Sequence, residues 1–161
     1  MFRYLSSVVV LALLAVLLTG PQVLAAGPPS FAGTWVLNTK KGENLGMVSA
    51  ITETVVITQT PAAMTLDVSS TFMGKTTVRQ VNYDLDGKPV QNESAMGDKA
   101  ETTAKWSGGK LSVVWLGEGA VAGSTTEKTE SRELSADGKT MTVTSARGTK
   151  PAMVMVYERQ E

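Results

Sequence analysis

Phe31-Ala32-Gly33-Thr34-Trp35 is the stretch that decides the fold. A glycine beside a large aromatic at the start of a first strand suits a sheet that closes on itself. Gly33 permits close backbone approach, and the Trp35 indole is expected to plug one end of a barrel. Strand one is expected over about 31–39, and the chain that follows supplies the wall in short strands broken by turn residues.

Residues 51–59 alternate, with Ile51, Val55 and Ile57 on one face, Thr52, Thr54 and Thr58 on the other, and Val56 the exception. Thr60-Pro61-Ala62 turns the chain into a strand carrying Met64, Leu66 and Val68 and ending near Thr71, so the two form a hairpin. In 75–84 Val78 faces one side and Val81 and Tyr83 the other, before the turn Asp86-Gly87-Lys88-Pro89. Residues 90–99 are polar and form either a weak edge strand or a loop. Strands over 100–106 and 110–116 flank Ser107-Gly108-Gly109. The threonine-rich 124–134 is polar on both faces, which fits a barrel whose interior is partly wet. Strands over 140–146 and from Met153 onward complete the chain. Residues 40–49 and 117–123 are expected to be flexible loops, and no amphipathic helix is expected after the leader. The fold class is all-β, a small antiparallel up-and-down β-barrel of roughly nine or ten strands, with a two-sheet sandwich as the alternative.

The first 26 residues have the pattern of a signal peptide: Arg3 as a positive start, an apolar run from Val8 to Leu18, a Gly20-Pro21 break and small residues before Gly27. Residues 27–161 then form one domain, exported to the periplasm or the exterior, with no stable membrane anchor after cleavage. An uncleaved anchor is the alternative. The chain has no cysteine, so neither a lipid on a cleavage-site thiol nor a disulfide is available.

Without Arg3 the remaining chain carries one more acidic than basic residue, which argues against nucleic acid as a partner. The absence of histidine removes the commonest general base, the imidazole metal ligands and the proximal haem ligand. Glu43, Glu53, Glu93 and Asp98 are scattered without paired-carboxylate spacing. No enzyme activity, metal or cofactor is expected.

Gly33-Thr34-Trp35 resembles the opening motif of the calycins, the superfamily of lipocalins and fatty-acid-binding proteins. Ile57-Thr58-Gln59, Ser70-Thr71-Phe72, Gly108-Gly109-Lys110-Leu111, Arg132-Glu133-Leu134 with Asp137-Gly138-Lys139, and Val156-Tyr157-Glu158-Arg159 fall in the order of the fatty-acid-binding branch. The short-strand, turn-rich character is similar to exported bacterial lipocalin-like domains. The resemblance implies a carboxylate held by an internal arginine at Arg132 and by an arginine-x-tyrosine pair on the last strand. Tyr157 is present, but the arginine position is Met155, and the two lid helices of that family have no counterpart in 40–49.

Met153, Met155 and Tyr157 are the leading pocket candidates, because a thioether surface with one hydroxyl suits an apolar molecule with a single polar group. Alternatively they fill a small barrel to ordinary density. Trp106 and Trp115 line the pocket or pack the interior. Arg132 shares a strand face with Glu130 and Lys128. With no second internal arginine evident, that face is expected to be solvated rather than an internal ion cluster. With Arg132 as the only countercharge, the expected guest is neutral or weakly polar. The function expected is binding of a small hydrophobic or amphipathic molecule inside the barrel. The alternative is a ligand-free interaction or inhibitor module acting through its outer surface and loops.

Overall fold

The structure, a computed structural model, describes residues 27–119 and 121–161. The expected signal peptide, residues 1–26, lies outside the described residues. Ten antiparallel strands follow one another: β1 (Gly33–Leu37), β2 (Thr52–Gln59), β3 (Ala63–Phe72), β4 (Lys75–Asp84), β5 (Val90–Glu93), β6 (Lys99–Ser107), β7 (Lys110–Glu118), β8 (Thr125–Leu134), β9 (Thr140–Ala146) and β10 (Met153–Arg159). They form one sheet in the order β4-β3-β2-β1-β10-β9-β8-β7-β6-β5, a meander whose first and last strands pair, with Trp35 opposite Arg159 and Leu37 opposite Tyr157. The uncertain 90–99 stretch resolves into the short edge strand β5 and a turn.

The barrel is nearly closed, because β4 and β5 share no ladder. One side chain bridges them. Asn82 N–H donates to Asn92 Oδ1 at 2.8 Å, and Asn92 Nδ2 donates to Asn82 O at 2.7 Å. The Asn92 carboxamide thus imitates one rung of a β-ladder, and its Nδ2 also lies 2.6 Å from Thr102 Oγ1 on β6.

The floor of the barrel holds the aromatic plug. Trp35 and Phe31 are fully buried, the Trp35 Nε1–H donates to Phe31 O at 2.8 Å, and Phe31 stacks on Trp106 with ring centres 5.9 Å apart. Arg159 straps this plug from the last strand, its guanidinium carbon 4.3 Å from the Trp35 ring centre and its Nε donating to Gly138 O at 2.9 Å. Gly33 has φ +135°, a conformation that favours glycine, and a Cβ there would also push the Arg159 guanidinium out of its place.

At the opposite end, the mouth, residues 38–51 are more ordered than a flexible loop. A short 3-10 helix (Gly46–Ala50) lies within them. Glu43 exchanges two backbone hydrogen bonds of 2.9 Å with Val154, extending the β1 side along β10, and Leu45 is buried. Apolar packing at Leu45 and the bridge to Val154 outweigh the flexibility that Gly42 and Gly46 suggest, and Gly42 is there because a Cβ would meet Leu45 and Val154 O.

Candidate ligand site

Strand alternation sends one face of every strand inward. In β1, β2, β3 and β7 that face is mainly apolar: Trp35 and Leu37, Val55 and Ile57, Met64, Leu66 and Val68, Leu111 and Val113. Polar side chains also point in, and they gather in two groups. The first lies between β10 and β2. Tyr157 donates its hydroxyl proton to Glu53 Oε1 at 2.7 Å, and Ser70 on β3 donates to Glu53 Oε2. Glu53 is 8% exposed and has no ion-pair partner among the described residues. Burial, and next the adjoining Glu53 carboxylate, push the Tyr157 phenol well above its ordinary pKa.

The second group surrounds Tyr83 on β4. Its ring meets Trp115 edge-on with centres 6.3 Å apart, and Arg132 Nη2 lies 3.4 Å from its hydroxyl. Arg132 Nη2 also donates to Glu130 Oε2 at 3.1 Å, while Lys128 Nζ reaches Glu130 Oε1 at 2.7 Å and sits 4.2 Å from the Trp115 ring centre. Burial alone would raise the Glu130 carboxyl, but the Arg132 and Lys128 cations hold it below the ordinary carboxylate range. Burial opposes the Arg132 charge too, yet Tyr83 and Glu130 keep its pKa above the usual arginine value. Tyr83 is pushed up to about 12 by burial, against the opposing charges of Arg132 and, more weakly, Arg79.

This overturns the expected solvated face. Arg132 and Glu130 are buried, at 8% and 9% exposure, because Trp115 on the neighbouring strand β7 and Tyr83 from β4 cover them, and Lys128 also pairs with Glu130. Among the described residues, Arg79 Nε and Arg132 Nε are buried without a hydrogen-bond partner, while Trp115 Nε1 is turned toward the Glu130 carboxylate.

Of the residues singled out from sequence, Arg132 and Trp115 stand in the Tyr83 group. Tyr157 stands in the Glu53 group, with Met155 Sδ 3.7 Å from its hydroxyl. Met153 is half-buried at the mouth end of β10. Trp106 is separate, stacked against Phe31 on the floor. Gly33 and Trp35 close the barrel there. Glu53 and Arg79 were missed as inward groups. The available signal was strand parity, since Glu53 precedes Val55 by two residues and Arg79 precedes Val81 and Tyr83 by two and four. Arg79 is the second internal guanidinium that the last strand lacks, so Arg132 is not the only countercharge.

Several solved structures share this fold. The Schistosoma mansoni fatty acid binding protein in complex with arachidonic acid is 22% identical, with a TM-score of 0.63 over 84% of this chain and 100% of that one. Echinococcus granulosus fatty-acid-binding protein 1 is 16% identical, with a TM-score of 0.62 over 81% and 98%. Human cRBP IV is 15% identical, with a TM-score of 0.60 over 83% and 100%. The chain therefore has the same ten-stranded β-barrel fold as these proteins. No family model and no curated protein sequence matches it.

Proposed function

We propose that the chain is an exported protein that binds a small hydrophobic or amphipathic molecule inside its barrel. The observation that carries this is the unpartnered donor Arg132 Nε in a buried residue. Folded proteins pair roughly 90% or more of their buried polar groups, and a barrel serving only as a scaffold gains nothing by burying this one unpaired. A guest bearing a hydrogen-bond acceptor supplies what it lacks, and the apolar floor of Phe31, Trp35, Leu111 and Met141 suits the remainder of such a molecule. The fold shared with fatty-acid-binding proteins supports the same reading, which is binding rather than catalysis.

Native mass spectrometry of the protein purified from its own source tests it. A co-purifying mass that is released on unfolding is expected, and a bare polypeptide that also fails to take up any added amphiphile would overturn it. Export is tested by N-terminal sequencing of the product, with a start near Ala26 or Gly27 expected. Recovery from membranes with Met1 intact would favour an anchor.

One observation favours the interaction-module reading. Met73, Met96 and Val121 are strongly exposed in turns at the mouth and Met47 in the short 3-10 helix there, and Met73 holds φ +48° at a hairpin tip while 88% exposed. A bare, ligand-refusing barrel would leave this reading in place.

A further inference from the structure

We infer that two copies of this chain associate through the outer edge of β4, paired antiparallel about a two-fold axis at Val78. The inference does not depend on the barrel holding a guest. Three observations lead to it.

First, the mouth half of β4 has a free edge. Leu85 N–H donates to Ala62 O at 2.8 Å, so the odd-numbered positions along β4 turn their backbone groups toward β3. The even-numbered positions face the other way, as Asn82 does in its bonds to Asn92. Thr76, Val78 and Gln80 therefore aim N–H and C=O away from β3, and no strand or turn among the described residues pairs with them. β5 ends at Glu93, and Ser94 N–H then bonds Asp98 O at 2.7 Å, so the chain turns back before it reaches them.

Second, nothing blunts that edge. Lys75, Thr76, Thr77 and Val78 are all exposed, on both faces of the strand, so this end of the β3–β4 hairpin stands clear of the barrel. The ladder with β3 runs without a bulge from Ala63 opposite Asp84 to Phe72 opposite Lys75, and β4 contains no proline. Bulges and prolines are common means by which an edge refuses another strand. Val78, in the middle of the free row, is apolar and 75% exposed.

Third, the charges of β4 select one register, and that register suits a second copy. Outward backbone groups meet only where even-numbered positions stand opposite even-numbered ones. With Val78 opposite Val78 of the second copy, Thr76 faces Gln80 and Thr77 faces Arg79, and Thr76, Val78 and Gln80 each exchange N–H and C=O with their counterparts. Moving the centre to Thr77 sets Lys75 opposite Arg79, and moving it to Arg79 sets Arg79 opposite itself. Like charges directly opposite destabilise a ladder. Hydrogen-bond direction, charge and the exposed apolar side chain thus agree on the same centre.

The test is sedimentation equilibrium of the leaderless protein over a range of concentrations. The wild type is expected to approach twice the mass of one chain as concentration rises. Val78→Lys and Val78→Glu place like charges face to face on the axis, at an exposed position, and each should stay monomeric. Mixed in equal amounts, the two variants should associate, since lysine then meets glutamate. Hydrogen exchange in the wild type gives a separate reading: the amides of Thr76, Val78 and Gln80 should slow as concentration rises, while those of Thr77 and Arg79, on the β3 side, should not change. Met73→Ser removes the 88% exposed side chain at the tip of the same hairpin, outside the paired row, and should dimerise like the wild type. A wild type that stays monomeric up to its solubility limit overturns the inference, as do a dimer that survives in Val78→Lys and charged variants that fail to associate when mixed. Association lost in Met73→Ser but kept in Val78→Lys also overturns it and assigns the contact to the apolar turns at the mouth. Circular dichroism checks folding, and if the charged variants do not fold, the exchange pattern of the wild type decides.

Discussion

The Tyr157 hydroxyl and the Glu53 carboxylate meet at 2.7 Å across the first strand, where Leu37 lies opposite Tyr157 in the β1–β10 ladder. Two polar residues from strands 104 positions apart in sequence thereby satisfy one another inside an apolar barrel. Tyr157→Phe leaves Glu53 with Ser70 as its remaining partner in this group, and a lost hydrogen bond to a charged buried group costs about 1.5–3 kcal/mol. The expected result is a lower urea midpoint with an unchanged far-ultraviolet spectrum. An unchanged midpoint would show that the pair contributes nothing to stability.

Met155→Arg brings a guanidinium to the position where the resemblance calls for one. Met155 Sδ is 3.7 Å from the Tyr157 hydroxyl, so the new cation falls beside Glu53 and pairs with it. No gain in affinity for dodecanoate is expected. A gain of about tenfold, equivalent to one charge-assisted hydrogen bond, would mean that Glu53 does not absorb the charge.

Tyr83 and Tyr157 are the tyrosines of residues 27–161, and both are buried. Their folded pKa values are raised, Tyr83 to about 12 and Tyr157 well above 10, each chiefly by burial. A raised pKa contributes stability that is fully present below the unfolded value near 10 and is lost as pH rises toward the folded value. Stability should therefore fall above about pH 10, and tyrosinate absorbance should rise together with loss of the β-sheet signal. A tyrosinate transition near pH 10 in the still-folded protein would contradict the burial of both rings.

Asn92→Ala removes the side chain that bridges β4 to β5. Asn82 N–H then loses its acceptor and Asn82 O its donor. The expected cost is about 1–3 kcal/mol, with faster hydrogen exchange at the Asn82 amide than at the amides of the β2–β3 ladder. Unaltered exchange at Asn82 would show that the gap is closed by other means.

Trp35→Ala should cost about 3–5 kcal/mol, read as a shift in the urea midpoint, because it empties a fully buried site and removes the surface under Arg159. An unchanged midpoint would rule out the plug. This part of the structure was legible from local sequence: Gly33 and Trp35 sit where a closing strand needs them, and turn residues bracket β4 and β9 at the expected bounds. The polar interior was much less legible. On β4 the apolar Val78 is 75% exposed while the charged neighbour Arg79 turns in, the reverse of what hydropathy suggests. Such an inversion depends on partners supplied from afar. Tyr83 is 49 residues from the Arg132 that it contacts, so neither residue's own neighbourhood in sequence marks it as internal.

The β1–β10 ladder also bears on how the molecule forms. Trp35 can pair with Val55 of β2 early, but the other edge of β1 cannot pair until Arg159 has been made, since the strand that closes the sheet follows the other nine. During synthesis, and in the reverse order during unfolding, β1 presents an open edge, and loop closure over nearly the whole domain must precede the final rungs. A chain shortened by even its last strand would retain most of the wall with two further unsatisfied edges, β1 and β9, an arrangement prone to pairing with its own copies rather than with itself.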